Sequence, residues 1–305
     1  MLQVFFVFVL VVSVGALSGR PIIGILTQDT YESHHGNMYL AASYVKYVES
    51  SGARVVPIFI NHTESELKFI LGSINGVLFP GGGASLKPNG SGFIDTAMRI
   101  YDYFVEENLA GRFFPLWGTC LGFETLTVLV AGRDLLTPCD AENYSIPLVF
   151  EPGFNASRMF KGATDDMIRY LSNENVTMNN HRYCVTLETF IHNEKLNSTF
   201  NILSTNKDRN GITFVSSVEG RLSPIFGTHW HPEKNAFEWT RSEGIDHSAD
   251  AVAVTQYMGN VLVQQARTCD HHFPNDNTEA KYLIYNYQPV YTGNVSHSFE
   301  QCYYW

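Results

Sequence analysis

The 305-residue chain carries 20 Lys+Arg against 30 Asp+Glu, a formal charge of −10, and is 45% hydrophobic but only 16% charged. Composition this apolar excludes a disordered chain, and the length excludes a disulfide-stapled miniprotein. The acidic balance argues against nucleic acid or an anionic membrane as partner, since both require a basic field, but a few local cations would suffice for an anionic small molecule.

Residues 2–17 (LQVFFVFVLVVSVGAL) form an apolar run too short to span a bilayer as a helix. Ala16-Leu17-Ser18 fits a small-x-small cleavage pattern, so residues 1–18 read as a secretory signal peptide and 19–305 as one domain. Sequons begin at Asn61, Asn89, Asn143, Asn155, Asn175, Asn197 and Asn294, which points to a glycoprotein of the secretory pathway, lysosomal or extracellular. No other apolar stretch reaches 18 residues, so the mature protein is expected to be soluble. Five cysteines (Cys120, Cys139, Cys184, Cys269 and Cys302) leave at least one thiol free in an oxidising compartment.

Along the mature chain, Ile22–Thr27 reads as a buried strand and Asn37–Ser50, with apolar residues at helical spacing, as a helix. Val55–Ile60 is strand-like, and Thr63-x-x-Glu66 is a capping box opening a helix to Leu71. Gly76–Phe79 is the next strand and ends in Pro80-Gly81-Gly82-Gly83. The helix Phe93–Asn108, the strand Phe113–Trp117 and the helix Leu121–Ala131 complete four strand–helix pairs. Such alternation implies right-handed crossovers and a mostly parallel α/β sheet flanked by helices. Beyond 138, strands are expected at Tyr144–Phe150, Val176–Met178, Cys184–Phe190, Phe200–Thr205, Ile212–Val218 and Pro224–Trp230, extending that sheet in mixed or antiparallel fashion. Helices are expected only at Asp165–Leu171 and Ala249–Thr268, and the last 35 residues read as a packed tail.

Two segments carry chemistry. Leu116–Glu124 (LWGTCLGFE) places Cys120 between glycines where a strand gives way to a helix, the spacing of a nucleophile elbow. The helix N-terminus favours a thiolate there, and the Leu121 N–H points toward an oxyanion. In Gly227–Glu233 (GTHWHPE), His231 and Glu233 stand two apart, so extended backbone would put both on one side and let the carboxylate fix the imidazole tautomer. His229 shares that face; with only Cys120 as a third ligand, metal is not expected, and His229 reads as a packing residue. The turn Pro80–Gly83 can complete an oxyanion hole through Gly82 or Gly83. A phosphate loop is the weaker alternative, because neither Gly-Lys-Ser/Thr nor Gly-x-Gly-x-x-Gly is present.

An elbow cysteine, a distant His-Pro-Glu and an upstream Gly-rich loop together resemble the class I glutamine amidotransferase (flavodoxin-like) fold. Within it, the segments PIIGILTQ, FPGGG, LWGTCLGFE, THWHPEKNAFEW and PVYTGNVS most resemble the γ-glutamyl hydrolase (folate conjugase) family. The resemblance implies a Cys–His–Glu triad of Cys120 as nucleophile, His231 as base and then acid, and Glu233 as orienting carboxylate. It implies no cofactor, poly-γ-glutamyl folates as substrate, His181 near the substrate and a homodimer. Glu124 replaces the glutamine that many amidotransferases carry four residues after the nucleophile, which suggests recognition of a secondary amide N–H. Lys87, Arg182 and Lys234 are candidate partners for the tail carboxylates. A γ-glutamyl peptidase without folate preference and a non-catalytic secreted binding glycoprotein are the alternative readings.

Overall fold

A computed structural model describes residues 17–30, 36–88, 91–241, 244–296 and 298–305; residues 1–16 of the expected signal peptide and the sequon Asn89 lie outside these. An eight-stranded sheet is built from β1 (Ile22–Leu26), β2 (Arg54–Ile58), β3 (Val77–Phe79), β4 (Leu116–Thr119), β5 (Val149–Phe150), β6 (Phe200–Lys207), β7 (Thr213–Gly220) and β8 (Ile225–Thr228). Its order is β2-β1-β3-β4-β8-β7-β6-β5. The first five are mutually parallel, and β7, β6 and β5 continue the sheet in antiparallel register.

Helices α1 (Ala42–Ser50), α2 (Glu64–Leu71), α3 (Gly92–Leu109), α4 (Leu121–Ala131) and α5 (Ala249–Ala266) cover both faces. Within one strand, neighbouring residues serve opposite cores: Val77 and Phe79 join Phe93, Phe104 and Phe123, while Leu78 joins Tyr44, Val254 and Met258. Burial on both sides explains why the parallel strands read as continuous apolar runs rather than alternating ones. Helix α4 is buried on nearly every side, and its sequence LGFETLTVLVA is correspondingly apolar all round. Among the described residues no helix is long and apolar enough to cross a membrane.

Several expected elements are corrected. Residues Met38–Ala41 form a strand, not the first turn of a helix, because the C-terminal segment Gln301–Tyr304 pairs with them from 260 residues away in sequence. Pro147, which has no N–H to donate, splits the expected strand Tyr144–Phe150 into the end of a ribbon strand (Thr137–Ile146) and the sheet-edge strand β5. That ribbon pairs with Thr177–Cys184 as a separate two-stranded sheet instead of extending the central one. Cys184–Phe190 is not a strand: Thr186 accepts the Thr189 N–H and caps a helix over Leu187–His192. Three further helices, Glu194–Thr199, Lys234–Phe237 and Asp276–Tyr282, are short and escape the periodicity reading.

The parallel strands deliver β4 and β8 side by side, with Thr228 opposite Thr119, so the two chemistry-bearing segments leave the sheet at the same edge. Close approach at that edge depends on glycine. A Cβ on Gly118 would strike the Gly122 carbonyl oxygen, and one on Gly122 would strike that of Phe79. Replacing Gly122 with Ala is expected to lower unfolding free energy by about 1–3 kcal/mol through overpacking. The check is the midpoint of urea denaturation, and an unchanged midpoint would show that the contact between β3 and α4 yields freely.

Candidate active site

Cys120 is the residue between β4 and α4, with φ 52° and ψ −111°. Positive φ in a non-glycine residue is sterically costly and marks the strained turn of a nucleophile elbow. Its N–H donates to the Thr228 carbonyl (2.9 Å), and its carbonyl accepts the Glu124 N–H (3.0 Å). The side chain is thus aimed from a turn pinned to both the neighbouring strand and the following helix.

The Gly-rich turn after β3 closes against it. A Cβ on Gly81 would lie 2.6 Å from the Tyr44 hydroxyl, 2.7 Å from His231 Cε1 and 3.1 Å from Cys120 Cβ, so only glycine fits. Gly81 N–H donates to the Tyr44 hydroxyl (2.7 Å), and Gln28 Nε2 donates to the Gly81 carbonyl (2.8 Å). The Gly83 N–H engages the Tyr39 hydroxyl. Gly82 and Leu121 N–H groups meet no protein acceptor among the described residues, so both can donate to a group bound beside the sulfur.

His231 and Glu233 are brought together, though not in extended backbone. The chain leaves the sheet after Thr228, and Glu233 has helical dihedrals (φ −75°, ψ −25°) at the start of Lys234–Phe237. The same-face expectation is corrected: a turn, not strand alternation, sets the pair. Thr255 of α5 donates to the Pro232 carbonyl (2.6 Å) and His231 N–H donates to the Met178 carbonyl (2.8 Å), holding that turn. His231 Nδ1 lies 2.7 Å from Glu233 Oε1 and 3.3 Å from the Tyr44 hydroxyl, and the ring hydrogen-bonds to Cys120. Burial favours the neutral ring, but the charges of Cys120 and Glu233 outweigh it and raise His231 to about 10.

A cavity of about 710 Å³ opens over the sulfur, and Gly82, Gly83, Leu121, Glu124, His181 and His231 all line it. His181, on the ribbon, is pushed well below the usual histidine range by burial and then by His229 and His231, so it is a neutral wall residue. Its Nε2 lies 3.2 Å from Asn179 Oδ1, and its Nδ1 lies 3.5 Å from Cys184 Sγ and 3.7 Å from Cys139 Sγ. Those sulfurs form a disulfide, so this Cys–His grouping offers no thiolates to a metal; Cys120, Cys269 and Cys302 are not disulfide-bonded. Burial, and secondarily Asp134, raises Glu124 to about 8. His229 does more than pack: its Nε2 lies 3.1 Å from Glu124 Oε1.

Lys87, Arg182 and Lys234 all line the cavity. Arg182 pairs with Glu142 (2.6 Å), and the buried Lys234 donates to the Ser298 carbonyl (3.2 Å). Sequence reasoning missed Gln28, Tyr39, Tyr44, Ser298 and Phe299. Tyr44 reaches the site only because α1 packs across the sheet from a turn 37 residues later, so no local signal could have shown it.

Fold and site together define a cysteine hydrolase with its nucleophile on a strand-to-helix elbow. The peptidase C26 family matches residues 21–233. "Gamma-glutamyl hydrolase" of Mus musculus is 47% identical over 289 residues, covering 94% of this chain and 90% of the relative. The Homo sapiens protein of that name is 42% identical (95% and 91% covered), and "Gamma-glutamyl hydrolase 1" of Arabidopsis thaliana is 38% identical (94% and 83%). The chain belongs to the peptidase C26 family and, within it, to the γ-glutamyl hydrolases.

With His231 raised from 6.5 to about 10, the imidazolium's contribution to stability is whole below the lower value and fades as pH climbs through the upper one. Its ¹⁵N ring signals should titrate near pH 10, and Glu233→Gln, which removes the carboxylate 2.7 Å away, should lower that midpoint. A midpoint near 6.5 in the wild type would refute the ion-pair geometry.

Proposed function

We propose that this protein hydrolyses the γ-amide bonds of poly-γ-glutamate chains carried by pteroyl groups, through a thioester on Cys120. The observation that carries the reading is the His231 ring, hydrogen-bonded at once to Cys120 and to Glu233 in a buried site. Glu233 occupies Nδ1, which leaves Nε2 for the sulfur, and the raised ring keeps its proton beside that sulfur at acid and neutral pH.

The sulfur attacks the γ-carbonyl carbon, and the carbonyl oxygen takes up negative charge against the Leu121 and Gly82 N–H groups. One such donor is worth roughly 2.7–4 kcal/mol of transition-state stabilisation. As the C–N bond breaks, His231 gives its proton to the departing amine, and the acyl group remains as a thioester. The neutral ring then takes a proton from water attacking the thioester carbon; the acid leaves, and the starting sulfur and imidazolium return. Lys87, Arg182 and Lys234 on the cavity wall, set beside Asp134 and Glu142, can meet a substrate whose tail is a string of carboxylates.

Exposure of the sequon residues Asn61, Asn143, Asn155, Asn175, Asn197 and Asn294, together with the Cys139–Cys184 disulfide, supports a glycosylated protein of the lysosome or extracellular space. The intact Cys120–His231–Glu233 arrangement disfavours the binding-glycoprotein alternative.

The test incubates wild type and Cys120→Ala with pteroyl-penta-γ-glutamate and with free penta-γ-glutamate at pH 5 and pH 7, reading products by mass spectrometry. Shortened pteroyl chains from the wild type alone support the assignment, and product lengths separate internal from terminal cleavage. His231→Asn should lower kcat roughly 10²–10⁴-fold. Equal rates on the two chains would favour the general γ-glutamyl peptidase, and cleavage by Cys120→Ala would remove Cys120 as nucleophile.

A further inference from the structure

The reaction above leaves a buried histidine of the Gly227–Glu233 stretch without a task. His229 is fully buried just beyond β8, its N–H donating to the Ser216 carbonyl (2.8 Å). Its ring stacks between Phe123 (centroids 4.8 Å apart) and His181 (3.6 Å, 8° between planes), with Phe214 edge-on at 5.8 Å. Rings on both faces fix the imidazole in one plane, and that plane directs Nε2 at Glu124 Oε1, 3.1 Å away. Glu124 stands in the first turn of α4, four residues after the nucleophile, and lines the same cavity as Cys120 and His231.

A γ-glutamyl bond within a poly-γ-glutamate is a secondary amide, so it carries one N–H that the site must meet. A buried carboxyl can accept that N–H only if its orientation is held, because burying it unsatisfied costs free energy.

We propose that His229 is a positioning residue for substrate recognition, anchoring Glu124 Oε1 so that the second carboxyl oxygen faces the N–H of the scissile amide. The proposal rests on the γ-glutamyl reading above. Protonation agrees with it: burial raises Glu124 to about 8 and lowers His229 to about 3, so both are neutral at acid pH. A neutral carboxyl donates its O–H to Nε2 and keeps its other oxygen as a carbonyl acceptor, the form that receives an amide N–H.

The test compares His229→Gln with His229→Asn on pteroyl-tri-γ-glutamate. The glutamine amide reaches the place of Nε2 and can turn its oxygen there to accept the carboxyl O–H, whereas the asparagine amide stops at the place of Nδ1. Glutamine should hold kcat/KM within about threefold of wild type, and asparagine should lose about ten- to a hundredfold, the worth of one hydrogen bond to a buried carboxyl. In a Glu124→Ala background, His229→Asn should add no further loss. If His229→Asn does not fold, His229→Phe keeps the ring stack, lacks the hydrogen bond, and carries the same expectation. Equal losses for glutamine and asparagine, or a full additional loss in the Glu124→Ala background, would overturn the proposal. Failure of the wild type to cut the probe would instead remove the γ-glutamyl reading on which it stands.

Discussion

The geometry of this protein turns on one strained residue. Cys120 is held at φ 52°, ψ −111°, a conformation that costs a side-chain-bearing residue about 1–3 kcal/mol. The strain persists because the surroundings overdetermine it: two backbone hydrogen bonds tie the residue to β8 and α4. Gly118, Gly122 and the Phe79 carbonyl pack too closely to admit a Cβ at either glycine. The same closeness that makes the turn costly lets β3 bring Gly82 N–H to the sulfur's edge of the sheet. The cysteine turn and the neighbouring Gly82 and Leu121 N–H groups are therefore one packing solution rather than independent features.

Around that turn the protein tolerates a buried cluster of charge. His231 and Glu233 are almost wholly buried, and removing two ions from water is compensated only by close pairing and further hydrogen bonds. Here the pairing is tight, Tyr44 adds its hydroxyl to the cluster, and α5 fastens the turn that presents both residues. For a second buried group the balance is reversed. Glu124, His229 and His181 are buried where charge is disfavoured, and burial drives all three toward their neutral forms. One site thus joins an ionic pair beside the cysteine to a neutral, hydrogen-bonded cluster.

A formal charge of −10 would repel a polyanionic substrate at long range. Salt limits that repulsion to about 8–10 Å, so beyond the cavity mouth it counts for little. Within the cavity Lys87, Arg182 and Lys234 stand beside Asp134 and Glu142, and Lys234, buried beside the site, lies over the Phe299 ring.

Much of this was legible in the sequence because it is local. Strand-then-helix alternation gave the parallel half of the sheet, Thr63-x-x-Glu66 marked a helix start, and Gly-x-Cys-x-Gly marked the elbow, since each follows from sterics or hydrogen bonding within a few residues. The features that escaped are long-range. Met38–Ala41 became a strand only because the chain's last residues pair with it, and the ribbon left the central sheet under a proline and a disulfide.

The same division holds at the site. Residue types and spacings determined by themselves which groups could act: a thiol at a tight turn, an imidazole two residues from a carboxylate, and backbone N–H groups in a glycine run. Tertiary structure alone decided that His231 and Glu233 meet across a turn, that the Gly83 N–H meets the Tyr39 hydroxyl, and that His229 touches Glu124. His229 and Glu124 are 105 positions apart in the chain and Tyr44 and His231 are 187 apart, and only packing of the sheet and its helices brings such groups within hydrogen-bonding distance.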